Sequence, residues 1–588
     1  MAKSHGAMHV ATVTSRQVDK AGQQREYQSH LVRRTFREDG KVKHQTLANI
    51  TALPPAAIEA IRAVLRGEQL LPADQALQIT GSLPHGHVGV VWAQAKALGL
   101  PGLLGPAGQY RDLALALIIA RVIHPASKLA TASWWDDTTL GVDLGVAGAS
   151  TDEIYQAMDW LLTRQDAIQA TLAKRHLAPE ANPSRMALFD LSSSWLEGSH
   201  CPLAKRGYSR DGRKGSLQIE YGLLTDPAGC PVAIKVFEGN TADPTAFIDA
   251  VATVRDRFNL TELVLVGDRG MITNARISAV RADPGSQLGW LTALRAPAIK
   301  TLAAEGGPLQ PTLFDQQNLA EISHPDYPGE RLIACRNPFL AAERARKRTE
   351  LLTATENLLA PVLAAVAAGR LAGADRIGLR VGKIINRYKM AKHLQVTITN
   401  ASLHITRNTS QIAAEAALDG IYVLRTSVSA AQLDAAGVVT AYKNLAKVER
   451  DFRSLKVDDL DLRPIYHRLG DRVRAHVLIC MLAGYLTWHL RKTLAPLTYT
   501  DEHPPARENP VAPASRSTAA DRKASRHRDS DNNPVRSFRG LLDHLATLTR
   551  NQVRLAGTEH TVTMLAEPTP TQQRAFELLN HPLPLTLK

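Results

Sequence analysis

The chain has 588 residues, 44% hydrophobic and 21% charged, with a formal net charge of +14 and a pI near 9.6. Its length excludes one ordinary core, since single cores stop growing beyond roughly 250 to 300 residues, and its balance of charge makes a polyanion the natural partner, although the same excess also serves solubility. The four scattered cysteines, Cys201, Cys230, Cys335 and Cys480, exclude a disulfide framework and a C-x-x-C zinc site. With no signal-peptide core at the start and no run of about 18 uninterrupted apolar residues, we expect a soluble, cytoplasmic protein with no membrane partner.

Within residues 1–80, the stretch YQSHLVRRTFREDGKVKHQTLANI predicts two strands joined by Asp39-Gly40, because glycine accepts positive φ in a tight hairpin. Arg33, Arg34, Arg37, Lys41 and Lys43 make this hairpin basic and mark the region as a candidate DNA-binding element, with a solvated charged hairpin as the plain alternative. Residues 81–182 read as helical. Ser150-Thr-Asp-Glu153 has capping-box spacing and starts an amphipathic segment. After Pro183 the period changes to that of strands. MALFDLSSSW, LQIEYGLLTD and CPVAIKVFEG predict an antiparallel meander, its last two strands joined by the turn Asp226-Pro-Ala-Gly229. The helix DPTAFIDAVATVRDRF, the strand ELVLVGD, a helix from Asn274 and the strand LGWLTALR follow, so residues 183–300 read βββαβαβ, a mixed sheet with a right-handed crossover.

Residues 301–420 interrupt this order and are expected to form an insertion domain, with a charged helix followed by β-like alternation in IGLRVGKIINRYKMAKHLQVTI. The core resumes over 421–496 with DGIYVLRTS and a late helix. Residues 497–535, rich in proline, serine and both signs of charge, are expected to be a disordered linker. Residues 536–588 read as a small helical tail.

Three acids stand out. Asp190 sits in mid-strand between Phe189 and Leu191, where a charge is rarely placed without cause. Asp268 ends the apolar run LVLVGD, at the strand end where α/β ligand sites gather. In YKNLAKVERDFRSLK, residues 442–456, an apolar stripe of Tyr442, Leu445, Val448, Phe452 and Leu455 predicts a packed helix. Tyr442, Glu449 and Lys456, seven apart, fall within about 20° of one another per step on its face. Adjacent first and fourth strands would bring Asp190 beside Asp268, and the helix could bring Glu449 to both. Divalent ions would relieve their repulsion and activate a hydroxyl for in-line phosphodiester chemistry. Taken singly, Asp268 reads as a turn former or helix cap, and Glu449 as an exposed partner of Arg453 at i,i+4.

The order Asp190, Asp268, Glu449 within this βββαβαβα progression resembles the ribonuclease-H-like DDE transposases of bacterial insertion sequences. Tyr442, Glu449 and Lys456 match the Y-x2-R-x3-E-x6-K signature of their IS-four superfamily, whose members carry a β-rich insertion in the long gap before the glutamate. The resemblance spans about residues 120–490. Leu445 stands where the signature has arginine, which leaves that phosphate contact to Lys447, Arg450 or Arg453. The resemblance implies an α/β fold with a ribonuclease-H-like mixed sheet core, a β-containing insertion domain and a mostly helical N-terminal region. Read from the residues themselves, the glycine-punctuated basic loop Gly207–Lys214 offers Arg210 and Lys214 to DNA, with an ordinary polar loop as the plain alternative. The resemblance implies catalytic and metal-binding roles for Asp190, Asp268 and Glu449 with two Mg2+ or Mn2+ ions, and DNA contacts from Tyr442, Lys456, Arg453 and Arg450. It also implies a nucleoid-associated bacterial enzyme that binds terminal inverted repeats, cleaves at the element's ends, joins the 3′-hydroxyl to target DNA, and works as a homodimer or higher oligomer on those ends. The rival readings are a non-transposing nuclease of the same fold and a catalytically silent DNA-binding descendant. Trp290 is read as core first and base-stacking second, and His467 and His476 as DNA or packing contacts.

Overall fold

In the computed structural model, which describes residues 6–18, 23–68, 76–260, 262–281, 288–315, 317–507, 509–529, 531–556 and 558–588, the chain divides into two units. The first comprises Met1–Ser82 with Arg550–Leu565, the second Leu83–Thr549 with Ala566–Lys588. Parts of the expected 1–80 region, namely 1–5, 19–22 and 69–75, lie outside the described residues.

In the first unit β1 (Met8–Val18), β2 (Gln24–Glu38) and β3 (Lys41–Asn49) form an antiparallel meander. The β2–β3 hairpin turns at Asp39 (φ 49°) and Gly40 (φ 73°), both left-handed, which matches the twist of the flanking strands. Alternation in MHVATVTSRQV adds β1, a strand the sequence reading did not include. A further strand, β4 (Leu77–Pro84), belongs to a separate three-stranded sheet.

The second unit is built on an eight-stranded sheet. Its strands are β5 (Met186–Trp195), β6 (Gln218–Thr225), β7 (Pro231–Glu238), β8 (Val264–Val266), β9 (Gly289–Ala293), β10 (Leu319–Ile322), β11 (Arg331–Arg336) and, after an excursion containing the hairpin β12 (Leu394–Ile398) and β13 (Leu403–Arg407), β14 (Ile421–Thr426). Their order is β10-β11-β14-β9-β8-β5-β6-β7, with β5, β8 and β9 mutually parallel and the other neighbours antiparallel. The expected βββαβαβ order is therefore present. At the β6–β7 turn Asp226 accepts from the N–H groups of Ala228 and Cys230 at 2.8 Å, with Gly229 at φ 90°. Helices Gly86–Ala97, Gln109–Ile123 and Thr151–Leu162 share one apolar core with the sheet, the last of them started by the predicted Ser150/Glu153 capping box.

Among the described residues two helices, Pro338–Ala367 and Gly470–Thr493, are long and apolar enough by length and composition to cross a bilayer. In Gly470–Thr493 the apolar residues from Val473 to Leu490 are buried in the core, which accounts for its hydropathy without lipid.

Three expectations need correction. First, the insertion is shorter than 301–420: β10 and β11 hydrogen-bond into the main sheet, and the excursion with its own core (Leu352, Leu359, Ile377, Val381, Leu394, Leu403) starts at Pro338. Within it, Ala374–Arg387 is a helix where β-like alternation was read, because Ile377, Val381, Ile384 and Ile385 repeat at helical spacing opposite Arg376, Arg380, Lys383 and Arg387. Second, the described residues of 497–535 are ordered in this structure. Ser517 caps a helix, Thr518–Arg526, Asp501 accepts from the Ser517 N–H and hydroxyl, and Val511 is fully buried. Third, the tail is not wholly helical: β15 (Thr549–Leu555) and β16 (Thr561–Leu565) pair and extend the sheet of β4 in the order β16-β15-β4.

Candidate active site

Strand β5 lies inside the sheet with β6 on one side and β8 on the other, so its residues are buried from Met186 to Ser194 except Asp190. The parallel register pairs Leu188 with Val266. Two residues further along each strand come Asp190 and Asp268, at the end where the β8 ladder has stopped and the chain turns at Gly267. Adjacent strands lie about 4.8 Å apart, so the register alone makes these acids neighbours.

The third acid comes from the helical segment after β14. Asp434 caps Ala435–Lys443, Asn444 interrupts the helix, and Leu445–Arg453 continues it before a wider turn over Ser454–Asp458. Val448 and Phe452 face inward, the Phe452 ring meeting Tyr221 of β6 edge-on at 5.7 Å. This packing fixes the helix against the sheet and leaves Glu449 exposed at its edge.

Asp190, Asp268 and Glu449 line one cleft of about 540 Å3, together with Leu191, Arg210, Asn337, Tyr422, Tyr442, Lys443, Leu445 and Ala446. Burial pushes the Asp190 carboxyl up to about 7; the charges of Asp268 and Glu449 add to this, while the Leu191 N–H and Arg210 oppose it. Burial first, then Asp268, Asp190 and Glu449, also raise the Tyr442 hydroxyl, against Arg269. The three carboxylates thus share one local field. Among the described residues none of them forms an ion pair, including the Glu449–Arg453 pair of the plain reading. Such an all-oxygen, unneutralised donor set suits hard divalent cations.

The remaining predicted residues divide. Tyr442 and Arg210 line the cleft; the Arg210 N–H donates to Ser193 Oγ (3.0 Å) and its guanidinium approaches Glu220 at 3.3 Å. Lys456 does not reach the cleft: the wider turn rotates it inward, where its ammonium pairs with buried Asp211 at 2.7 Å beside Arg463. Arg450, like Lys447, lines a different cleft with Asp451 and Trp488, and Lys447 donates to the Pro227 carbonyl. Arg453 and Lys214 are exposed outside the acidic cleft. Leu445 lines it, so no cation of this helix takes the signature arginine's place there. Trp290 is 6% exposed under the Arg281 guanidinium, as its core reading expects. His476 is buried and His467 half-buried, and burial lowers both.

Sequence reading missed Asn337, Tyr422 and Lys443. Lys443 adjoins Tyr442 and was findable; its ammonium donates to the carbonyls of Pro510, Val511 and Ala512 (2.5–3.1 Å), and Asn337 also reaches Val511. Asn337 and Tyr422 flank the insertion, and no local pattern links them to the acids.

Comparison with known proteins bears on what this cleft serves. A family model described as transposase DDE domain matches residues 192–486, and one described as IS1634 family transposase, N-terminal domain, matches residues 16–74. No curated protein matches the chain. Among solved structures, a cryo-EM structure of the piggyBac transposase synaptic complex with hairpin DNA is similar over 69% of this chain and 72% of that one, at 8% identity and a TM-score of 0.31. The first match begins two residues beyond Asp190, includes Asp268 and Glu449, and spans just over half of the sequence. The chain therefore belongs to the DDE transposases of insertion sequences, metal-dependent enzymes that cleave and join DNA strands.

Proposed function

We propose that Asp190, Asp268 and Glu449 are the catalytic and metal-holding residues of this transposase, and that it acts on the terminal inverted repeats of its own element. The observation that carries this reading is the convergence of three unpaired acids, from β5, the end of β8 and the Leu445–Arg453 helix, on a single open cleft. The strand order β7-β6-β5-β8-β9, with β5, β8 and β9 parallel, supports a ribonuclease-H-like core. Two Mg2+ or Mn2+ ions suit the donors.

When bound, the ions would supply an activated hydroxyl and charge stabilisation for the leaving 3′-oxygen. The protein's own contribution is to fix the three acids on rigid elements and to hold the scissile strand. Tyr442 borders the acids and offers a hydroxyl that stays protonated. Arg210 lines the cleft with its backbone held by Ser193 and its guanidinium beside Glu220, so a phosphate there would share that guanidinium with Glu220. Arg453 and Lys214, exposed beyond the cleft, are placed to contact flanking DNA. Pairing of two ends implies a homodimer or higher oligomer on DNA, and the enzyme works at the bacterial nucleoid in the cytoplasm.

A duplex carrying the element's end tests the proposal. The wild-type chain should nick it only with divalent metal and should join the freed 3′-end to a second duplex. Cleavage without joining identifies a nuclease, and binding without cleavage identifies a silent descendant.

A further inference from the structure

Away from the acidic cleft, a second set of donors converges. His176 ends the helix Gln165–His176, Cys230 precedes β7, and His489 lies on Gly470–Thr493; a ligand atom of each stands within 4.8 Å of the other two. Cys230 Sγ is 3.7 Å from His489 Nε2. That is close to the roughly 3.6 Å that separates sulfur and nitrogen ligands across a tetrahedral zinc ion, given Zn–S of about 2.3 Å and Zn–N of about 2.05 Å. Asp226 stands beside them: Oδ1 accepts two backbone N–H groups of the turn, while Oδ2 lies 3.8 Å from His176 Nδ1. The other nitrogen of His176, Nε2, is 3.1 Å from the Tyr485 hydroxyl, an outer contact that would fix the ring with Nδ1 facing inward.

We propose that His176, Cys230 and His489 bind one zinc-class cation, with Asp226 as a neighbouring carboxylate beside His176 and the fourth position left to water. This inference does not rest on the assignment of the acidic cleft. The surroundings favour a cation over a plain thiol–imidazole contact. Cys230 is fully buried, and its sulfur shares the site with one imidazole from each of two separate helices. On binding, the thiol proton leaves to solvent and a sulfur–metal bond takes its place. The ion would join the Gln165–His176 helix, the β6–β7 turn and the Gly470–Thr493 helix. It would also stiffen the turn on which Lys447, of the Glu449 helix, rests through the Pro227 carbonyl. Sequence spacing hid the set, because Cys230 and His489 are 259 positions apart.

The test uses the full chain, stripped with chelator and titrated with Zn2+ or Co2+. Uptake of one equivalent of Zn2+ is expected. Co2+ should give a sulfur-to-cobalt charge-transfer band with intense tetrahedral d–d bands, a signal that a carboxylate site cannot produce. Cys230→Ser should abolish the charge-transfer band, Cys480→Ser should keep it, and Tyr485→Phe should weaken Zn2+ binding about 10- to 100-fold. Should Cys230→Ser fail to fold, His489→Gln is read instead and should lose the tetrahedral d–d intensity. A folded wild-type chain that shows no charge-transfer band, or a band that survives in folded Cys230→Ser or His489→Gln, overturns the inference.

Discussion

Arg210 and Asp211 are neighbours in sequence but belong to two opposite electrostatic settings. Arg210 looks into the cleft of Asp190, Asp268 and Glu449, where three acids lie near the surface and none is ion-paired among the described residues. Asp211 turns inward, its side chain 2% exposed, and is met by both Lys456 and Arg463. The first setting leaves its charge for something outside the chain to balance. The second is balanced internally and ties the basic loop to the segment just after the Glu449 helix. The difference separates chemistry from architecture on a few square nanometres of one protein: an acid kept unpaired is there for a ligand, while a buried, doubly paired acid holds the fold around it.

The largest expected effect tests the first half of that contrast. Glu449→Gln keeps the size of the side chain and removes its charge. End binding should persist, while divalent-dependent nicking falls by more than the roughly hundredfold that outer-shell changes to a metal site cost. Nicking at the wild-type rate would take this helix out of the chemistry. Asp211→Asn tests the second half. It leaves Lys456 and Arg463 without their shared partner, and the unfolding free energy in urea should drop by about 3 to 5 kcal/mol, the usual cost of breaking a buried pair from one side. If instead stability is unchanged and nicking is lost, Asp211 belongs with the cleft acids and the contrast fails.

What the sequence disclosed follows the same division between local and distant causes. The Asp39-Gly40 turn, the Ser150/Glu153 capping box, the Asp226 turn and the apolar strand before Asp268 are each specified within a few residues, and each forms as read. The adjacency of Asp190 and Asp268 was legible because the first and fourth strands of a βββαβαβ sheet can lie side by side, as β5 and β8 do in parallel. Lys456 was misplaced because seven-residue spacing assumes an unbroken α-helix, and the chain interrupts it at Asn444 and widens it after Arg453. The order in 497–535 was invisible for a different reason: Lys443 and Asn337, far away in sequence, hold the carbonyls around the buried Val511.

A smaller effect concerns a cation that forms no ion pair among the described residues. Lys128 is buried beside Arg121, and its ammonium is 3.2 Å from His476 Nδ1. Burial and then Arg121 lower it from 10.5 to about 7. The folded state therefore holds its proton less tightly than the unfolded chain does. The penalty is fully present below about pH 7 and fades as pH rises toward 10.5, so this site makes the protein more stable with rising pH over that interval. Urea midpoints of wild type and Lys128→Met, followed from pH 6.5 to 9, should show the wild type gaining on the variant. A constant difference would mean that Lys128 stays charged throughout, with a partner the geometry does not reveal.

The smallest effect comes from returning a charge to the cleft. Leu445 borders the acids at the position where the signature of this family has arginine, and it also packs partly against the core. Leu445→Arg would lose some apolar contact, but a guanidinium on a three-carbon stem can lay its aliphatic part on the same surface and carry its charge outward. If DNA lies along the cleft, one added phosphate contact steepens the dependence of log affinity on log salt by about 0.9 for end binding. A gain at low salt with that steeper slope locates the strand beside Asp190. An unchanged slope would mean that the DNA backbone passes elsewhere, with Arg210 then facing an acid and no phosphate. The substitution thus reads the path of the substrate without removing any acid, and it sharpens the contrast between the two settings by adding to the open one the kind of internal cation that Asp211 already has.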